Sequence, residues 1–308
     1  MPDAHDDLRP LLFSIAYRML GSVVEAEDMV QEAYVRYQRA VGEGAAVDDP
    51  KSYLCAVTTR LCIDHLRSAR VRRESYVGPW LPEPLLTGSA VPDGARIVED
   101  ADSVSMAFLL VLERLTPVER AVFLLHDVFD YGYGEIAEIV ARSEDNCRQL
   151  AVRARRHVRE ERRRSETSAD RREALADRFF EAVNEGDMDG LVELLAEDVA
   201  VVGDSGGVRP MWPRPIVGRD RVVALLAGPG AQPGRLDMRM RRTEINGAPG
   251  ALVTDARGGL LYAILLDVAP GGIIETVRTV RNPAKLAHLG PVGDLGAVMH
   301  SRGAGREG

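Results

Sequence analysis

Cysteine is scarce in this 308-residue chain. The three present, Cys55, Cys62 and Cys147, are too few and too scattered for a disulfide framework. Cys55 and Cys62 stand seven apart, near one face of a helix. No histidine or second thiol pair accompanies them at metal-ligand spacing. All three read as small apolar core residues, no metal or cofactor is expected, and a reducing cytoplasm fits. Long apolar runs are also missing. The longest, LLYAILLDVA from Leu260, is far too short to span a bilayer. The opening MPDAHDDLRP lacks a basic segment followed by an apolar one, so a signal peptide is not expected, and neither is a membrane partner. There is no internal repeat. Nor is there an excess of positive charge: Lys and Arg number 39 against 47 Asp and Glu, a net charge of −8. The total gives no hint of nucleic acid; its distribution does.

What remains is ordinary for a globular protein, 45% hydrophobic and 28% charged, with length for two or three domains. Residues 1–75 read as helices. Leu8, Leu11, Leu12, Ile15 and Met19 recur at helical spacing, Gly21 stops that helix, and Ser22 with Glu25 can cap the next. There Ala26, Met29, Val30, Ala33 and Tyr37 form the inward stripe. Asp49–Pro50 starts a third helix. Residues 76–100, rich in proline and glycine, read as an irregular linker with an acidic downstream end. A second helical block spans 101–165, with Thr116, Pro117 and Glu119 opening one of its helices. From 170 to 290 the pattern is two helices and then strand-like runs, interrupted by the helix GRDRVVALLAG. That order predicts an α+β domain with helices over a curved sheet. Residues 291–308 read as a disordered tail.

In RSEDNCRQLAVRARRHVRE, residues 142–160, Ser143 is a good N-cap, and Glu144 and Asp145 suit the positive end of the helix dipole. Cys147, Leu150, Ala151, Ala154 and Val158 face inward; Arg148, Gln149, Arg153 and Arg156 face outward. With the short helix around Ile136–Val140 this makes a helix-turn-helix, whose second helix would enter the DNA major groove. Arg and Gln can make bidentate base contacts, while the later arginines hold phosphates. A solvated amphipathic helix is the plain alternative. A second basic cluster, Arg60, Arg67, Arg70, Arg72 and Arg73 against Asp64, closes the third helix and could grip phosphates. By contrast Glu25, Asp28, Gln31 and Glu32 make a polar, mainly acidic stripe that should repel DNA and meet a protein.

Taken in order, AEDMVQEAYVRYQRA, SYLCAVTTRLCIDHLRSARVRR and LERLTPVERAVFLLHDVFDYGYGEIAEIVARSEDNCRQLAVRARRHVR resemble regions 2 and 4 of bacterial sigma factors. The best match is the extracytoplasmic-function group, and the resemblance covers about half the chain. It implies two all-α domains and two partners, core RNA polymerase and promoter DNA. Glu25, Asp28, Gln31 and Glu32 would dock on the clamp coiled coil of the largest polymerase subunit. Arg60, Asp64, Arg67, Arg70, Arg72 and Arg73 would read and open the −10 element. Arg148, Gln149, Arg153 and Arg156 would read the −35 element. Many members carry Asn at or near Thr59 and Trp near Tyr53, so the −10 base preference stays open.

The remainder is similar to the SnoaL-like superfamily, α+β cones used by cyclases, isomerases and non-catalytic binders. It is closer to a sigma subgroup bearing this extension. Trp80, Leu81, Pro82, Glu83 and Pro84 match the subgroup's linker motif. Asp204, Ser205, Gly206, Gly207 and Arg209 resemble its Asp-Gly-Gly-Gly-Lys/Arg loop, with Val208 as an insertion-like departure. Asn282, Pro283, Lys285 and Leu286 resemble its Asn-Pro-Asp-Lys-Leu motif, with Ala284 in place of Asp. The first two motifs are expected to join the extension to the sigma core, and the third to secure the tail. The extension reads first as an intramolecular regulatory domain, then as a sensor of a small-molecule ligand. As an enzyme it would need a pocket base such as Asp204 or Asp255, and no convincing His–Asp pair is present, since His288 and His300 fall near the expected tail. No catalytic residue is assigned. The competing readings are a one-component ligand-sensing regulator and a SnoaL-like isomerase or cyclase.

Overall fold

The computed structural model describes residues 6–74, 76–87, 104–162, 168–208, 212–228, 232 and 236–300, with backbone alone for 6, 69–74, 159–162, 169 and 300. The chain divides into two compact units, one of residues 1–75 with 89–162 and the other of 76–88 with 163–308.

The first unit is helical: α1 (Arg9–Leu20), α2 (Val23–Gly42), α3 (Pro50–Glu74), α4 (Met106–Leu112), α5 (Pro117–Asp127), α6 (Tyr133–Val140) and α7 (Glu144–Arg162). The local signals set the boundaries. Gly21 closes α1 in the left-handed region, and the Ser22 hydroxyl accepts from Glu25 N–H to open α2. Asp49 accepts from Ser52 ahead of α3. Thr116 and Glu119 form a reciprocal capping box on α5, satisfying donors that a helix start leaves unpaired. Leu12, Ile15, Met19, Ala26, Val30, Leu54 and Cys62 are buried among α1, α2 and α3. Ala121, Leu124, Ile136, Cys147, Ala151 and Ala154 are buried among α5, α6 and α7.

The two helical groups share one compact unit, with α1 and α3 packed on α5 and α3 on α6. Arg120, 3% exposed on α5, donates to the Met19 carbonyl at the end of α1 and pairs with Glu113 at 2.8 Å. Pairing of this kind offsets the cost of taking a cation out of water. Burial also pushes the Cys55 and Cys62 thiols up, as expected of core thiols.

The second unit holds a six-stranded sheet of order β2-β1-β6-β5-β4-β3. The strands are β1 (Leu195–Asp204), β2 (Ile216–Val217), β3 (Met238–Ile245), β4 (Ala248–Asp255), β5 (Leu260–Ala269) and β6 (Ile273–Val280). β1 and β6 run parallel; the other pairs are antiparallel. Side chains alternate between faces. Val201 and Val277 are register partners, as are Val277 and Leu266. All three lie in one core with Phe179, Phe180, Leu191 and Val222, from α8 (Ala169–Glu185), α9 (Met188–Leu194) and α10 (Arg219–Leu226). Asp204, Val280 and Ala263 are partners on the opposite face, and they too are buried. Covering them is the strap 76–87, with α11 (Pro283–Leu286).

The expected disorder from 291 is corrected as far as residue 300. Val292 bridges Leu260, and α12 (Leu295–His300) brings Leu295 and Val298 against Met238, Val253 and Tyr262. Apolar residues within the glycine-rich stretch find a sheet edge to cover. Residues 301–308 lie outside the described residues, as do 88–100 of the expected linker.

Candidate functional site

On α7 the inward stripe is buried as expected, from Cys147 to Val158, and Arg148, Gln149, Arg153 and Arg156 are exposed. The Ser143 hydroxyl accepts from Asn146 N–H at 3.3 Å. Between α6 and α7, Ala141 takes a left-handed backbone, φ 52°, turning the chain tightly enough to set the helices against each other. Arg148 meets Glu144 at 2.7 Å and Asp145 at 3.2 Å, and Arg153 meets Glu119 at 3.2 Å. Such exposed pairs contribute about 0–1 kcal/mol, so an incoming phosphate can displace them.

The acidic stripe of α2 is outward but not uniform. Asp28 and Gln31 are exposed. Glu32 pairs with Arg36 at 2.8 Å, and Glu25 lies 3.1 Å from His65. In the second cationic cluster Arg67 pairs with Asp64 at 3.1 Å. Arg60 turns elsewhere: its Nε donates to the Ile139 carbonyl at 2.9 Å and its Nη2 to that of Glu138 at 2.8 Å. These carbonyls end α6, where the helix dipole favours a cation. The side chains of Arg70, Arg72 and Arg73 lie outside the described residues.

The other motifs converge within the second unit. Asp204, 0% exposed, accepts from the Tyr76 hydroxyl, from Gly206 N–H at 3.1 Å, from Leu81 N–H at 2.8 Å and from Lys285 Nζ at 2.7 Å. Lys285 also donates to the Leu81 carbonyl and lies 4.3 Å from the Trp80 ring centroid and 5.0 Å from that of Tyr76. Burial, then the Asp204 carboxylate, pushes the Tyr76 hydroxyl well above its ordinary value. Asn282 caps α11 by accepting from Ala284 N–H and donates to the Tyr76 hydroxyl at 2.9 Å. Gly206 has φ 59°, and a Cβ on it would meet Asn282 Nδ2 at 2.5 Å, so the loop requires glycine there. Ser205 accepts from Val208 N–H in the same turn, and Gly207 faces Val77.

Pro82, Glu83 and Pro84 are buried, and His288 Nε2 lies 2.8 Å from the Pro84 carbonyl. The strap then reaches the β3–β4 hairpin. Leu85 N–H donates to Asn246 Oδ1 at 3.0 Å, Asn246 N–H returns to the Leu85 carbonyl at 2.8 Å, and Thr87 bonds Glu244.

Trp80, Leu81, Asp204, Gly206, Asn282 and Lys285 are thus brought together. Pro283 begins α11, and Leu286 is buried beneath it. Arg209 lies outside the described residues. Two readings need correction: NPAKL grips the strap rather than the tail, and His288 belongs to that grip rather than to a loose end. Ala284 is exposed and Val208 half exposed, so neither departure removes a clamp contact. Tyr76, Asn246, Thr87 and His288 were missed. The Asn246-Gly247 pair is a hairpin signal, but only the fold reveals its second task.

Neither candidate base is free. Asp204 receives those four donors, and Asp255 accepts from Arg257 and Gly259 N–H in the β4–β5 turn. Among the described residues no cluster suited to a metal occurs, and no helix is long and apolar enough to cross a membrane.

A helical unit with a turn-linked cationic helix, followed by an α+β cone, defines a sigma-type transcription factor with an appended domain. Family comparison matches Sigma-70 region 2 over residues 5–72, Sigma-70, region 4 over 105–158, and a SnoaL-like domain over 176–282. The ECF RNA polymerase sigma factor SigJ of Mycobacterium tuberculosis (strain ATCC 25618 / H37Rv) is 41% identical over 222 residues, covering 72% of this chain and 70% of that protein. The probable ECF sigma factor SigI of the same strain is 40% identical over 217 residues, covering 70% of this chain and 71% of that one. The crystal structure of M. tuberculosis SigJ aligns with TM-score 0.74 and 32% identity over 95% of this chain and 100% of that one. The chain belongs to the extracytoplasmic-function RNA polymerase sigma factors.

Proposed function

We propose that this sigma factor binds core RNA polymerase through the outward face of α2, Glu25, Asp28, Gln31 and Glu32. It reads the −10 element from the end of α3 and the −35 element from α7. The observation that carries this reading is the separation of charge within one helical unit: Asp28 and Gln31 exposed on α2, and Arg148, Gln149, Arg153 and Arg156 exposed on α7. A carboxylate-bearing face suits a protein partner, while a cationic helix presented by a tight turn suits the major groove.

Arg60 must leave the Glu138 and Ile139 carbonyls to reach DNA, so the compact helical unit corresponds to a resting arrangement. The C-terminal domain acts as a regulator rather than an enzyme, because Asp204 and Asp255 are spent on hydrogen bonds. Its grip on residues 76–87 withdraws the strap from the connection between the two DNA-binding regions. The chain works in the cytoplasm, where the polymerase is.

The test is co-purification with core polymerase. Wild-type chain is expected to be retained. Asp28→Arg should weaken retention at least about tenfold, as for a disrupted charged contact, without changing the circular dichroism spectrum. Equal retention of the variant would remove α2 from the interface. Specific promoter binding without core would favour a free-standing regulator.

A further inference from the structure

Among the described residues, Arg281 is a cation without a counter-charge. It follows β6 by one residue on the face that carries Val277 and Thr279, the side covered by the helices. Its guanidinium Cζ lies 3.9 Å from the Trp212 ring centroid and 5.4 Å from that of Tyr262. Its Nε is buried and has no hydrogen-bond partner, and it joins no ion pair among the described residues. Arg120, Arg278 and Arg242 also leave Nε unpaired, but each has a carboxylate partner: Arg120 has Glu113, Arg278 has Asp267, and Arg242 has Glu173 and Asp177.

A second unpaired group stands beside it. Thr279 is 5% exposed, and its hydroxyl also lacks a partner among the described residues. Gly203 is the register partner of Thr279. A Cβ on Gly203 would lie 2.9 Å from Trp212 Cε3 and 3.1 Å from Thr279 Oγ1, so the tryptophan edge and the hydroxyl meet over the same backbone.

A buried donor without an acceptor costs free energy, and a cation costs more. Two such donors on one sheet face, beside two aromatic rings, are arranged for an acceptor that the described residues do not supply. Burial pushes the guanidinium down to about 10, which agrees with a missing anion. The free Nε edge suits side-on recognition of a planar carboxylate. The flanking rings suit a flat apolar body. One guanidinium and one hydroxyl are a poor match for the many oxygens of a phosphate.

We propose that the helix-covered face of the C-terminal domain binds a small organic carboxylate with a flat apolar body, held by Arg281 and Thr279 and flanked by Trp212 and Tyr262. This site is separate from the Asp204–Lys285 cluster, which uses the opposite face, and it stands whether or not the polymerase reading holds.

Calorimetric titration of the full chain with benzoate, benzamide and inorganic phosphate tests it. Benzoate should bind saturably, with benzamide and phosphate at least about tenfold weaker, as expected when a charge-assisted hydrogen bond is missing. Arg281→Gln should weaken benzoate at least about tenfold, Thr279→Val several-fold, and Arg281→Lys less than Arg281→Gln. Near-UV circular dichroism checks folding, and if Arg281→Gln unfolds, Thr279→Val decides. Absence of saturable benzoate binding would overturn the proposal. So would benzamide or phosphate equal to benzoate, or affinity unchanged in the folded variants.

Discussion

Arg148 and Lys285 are both cations held by carboxylates, but in opposite surroundings. Arg148 and Glu144 are 51% and 50% exposed; Lys285 and Asp204 are 9% and 0% exposed. Water and salt screen the first pair, which is worth a fraction of a kcal/mol. The second pair is desolvated, and each partner depends on the other. The contrast follows from the tasks. On the proposed reading, side chains that exchange partners for DNA stay wet and weakly paired. Side chains that fix a strap against a sheet are buried and fully hydrogen-bonded.

Breaking the buried pair should have the largest effect. Lys285→Met leaves Asp204 buried without its cation, and urea unfolding of the C-terminal transition should show a loss of about 3–5 kcal/mol. A loss below about 1 kcal/mol would place the pair with the surface ones. The exposed side should behave conversely. Arg153→Ala with Arg156→Ala should leave the melting temperature almost unchanged. Promoter affinity, measured with polymerase holoenzyme, should fall by about 1–3 kcal/mol for each base the helix no longer reads. A large fall in melting temperature with intact affinity would reverse the comparison. Asn246→Gly sharpens it further. The hairpin keeps a residue suited to φ 53°, but the Leu85 amide is left without its acceptor. About 1–2 kcal/mol should go, with faster hydrogen exchange at Leu85; unchanged exchange would show the strap held from the Asp204 end alone.

Much of the helical unit was legible because its signals are local. Thr116 with Glu119, Ser143, and the apolar spacing of α7 each specify a boundary or a face within a few residues. The charge separation between α2 and α7 could be read the same way. The turn from Arg60 to the end of α6 could not, since it joins residues 79 apart. The clamp was half legible. Its three motifs were recognisable, but their joint target was not, because Tyr76, Asp204 and Lys285 meet only once β1 and β6 lie side by side. Lys285 resembles a solvated lysine until Asp204 appears beneath it. His288 looked peripheral because glycines follow it, and Arg281 carries no mark in the sequence that its carboxylate is missing.

Run-off transcription on genomic DNA fragments with core RNA polymerase tests the central claim most directly. The account predicts discrete transcripts only when both core and this chain are present, abolished by Asp28→Arg and by the Arg153→Ala, Arg156→Ala variant. Transcripts unaffected by both variants, or none from wild-type chain even when it is shortened to residues 1–165, would contradict it.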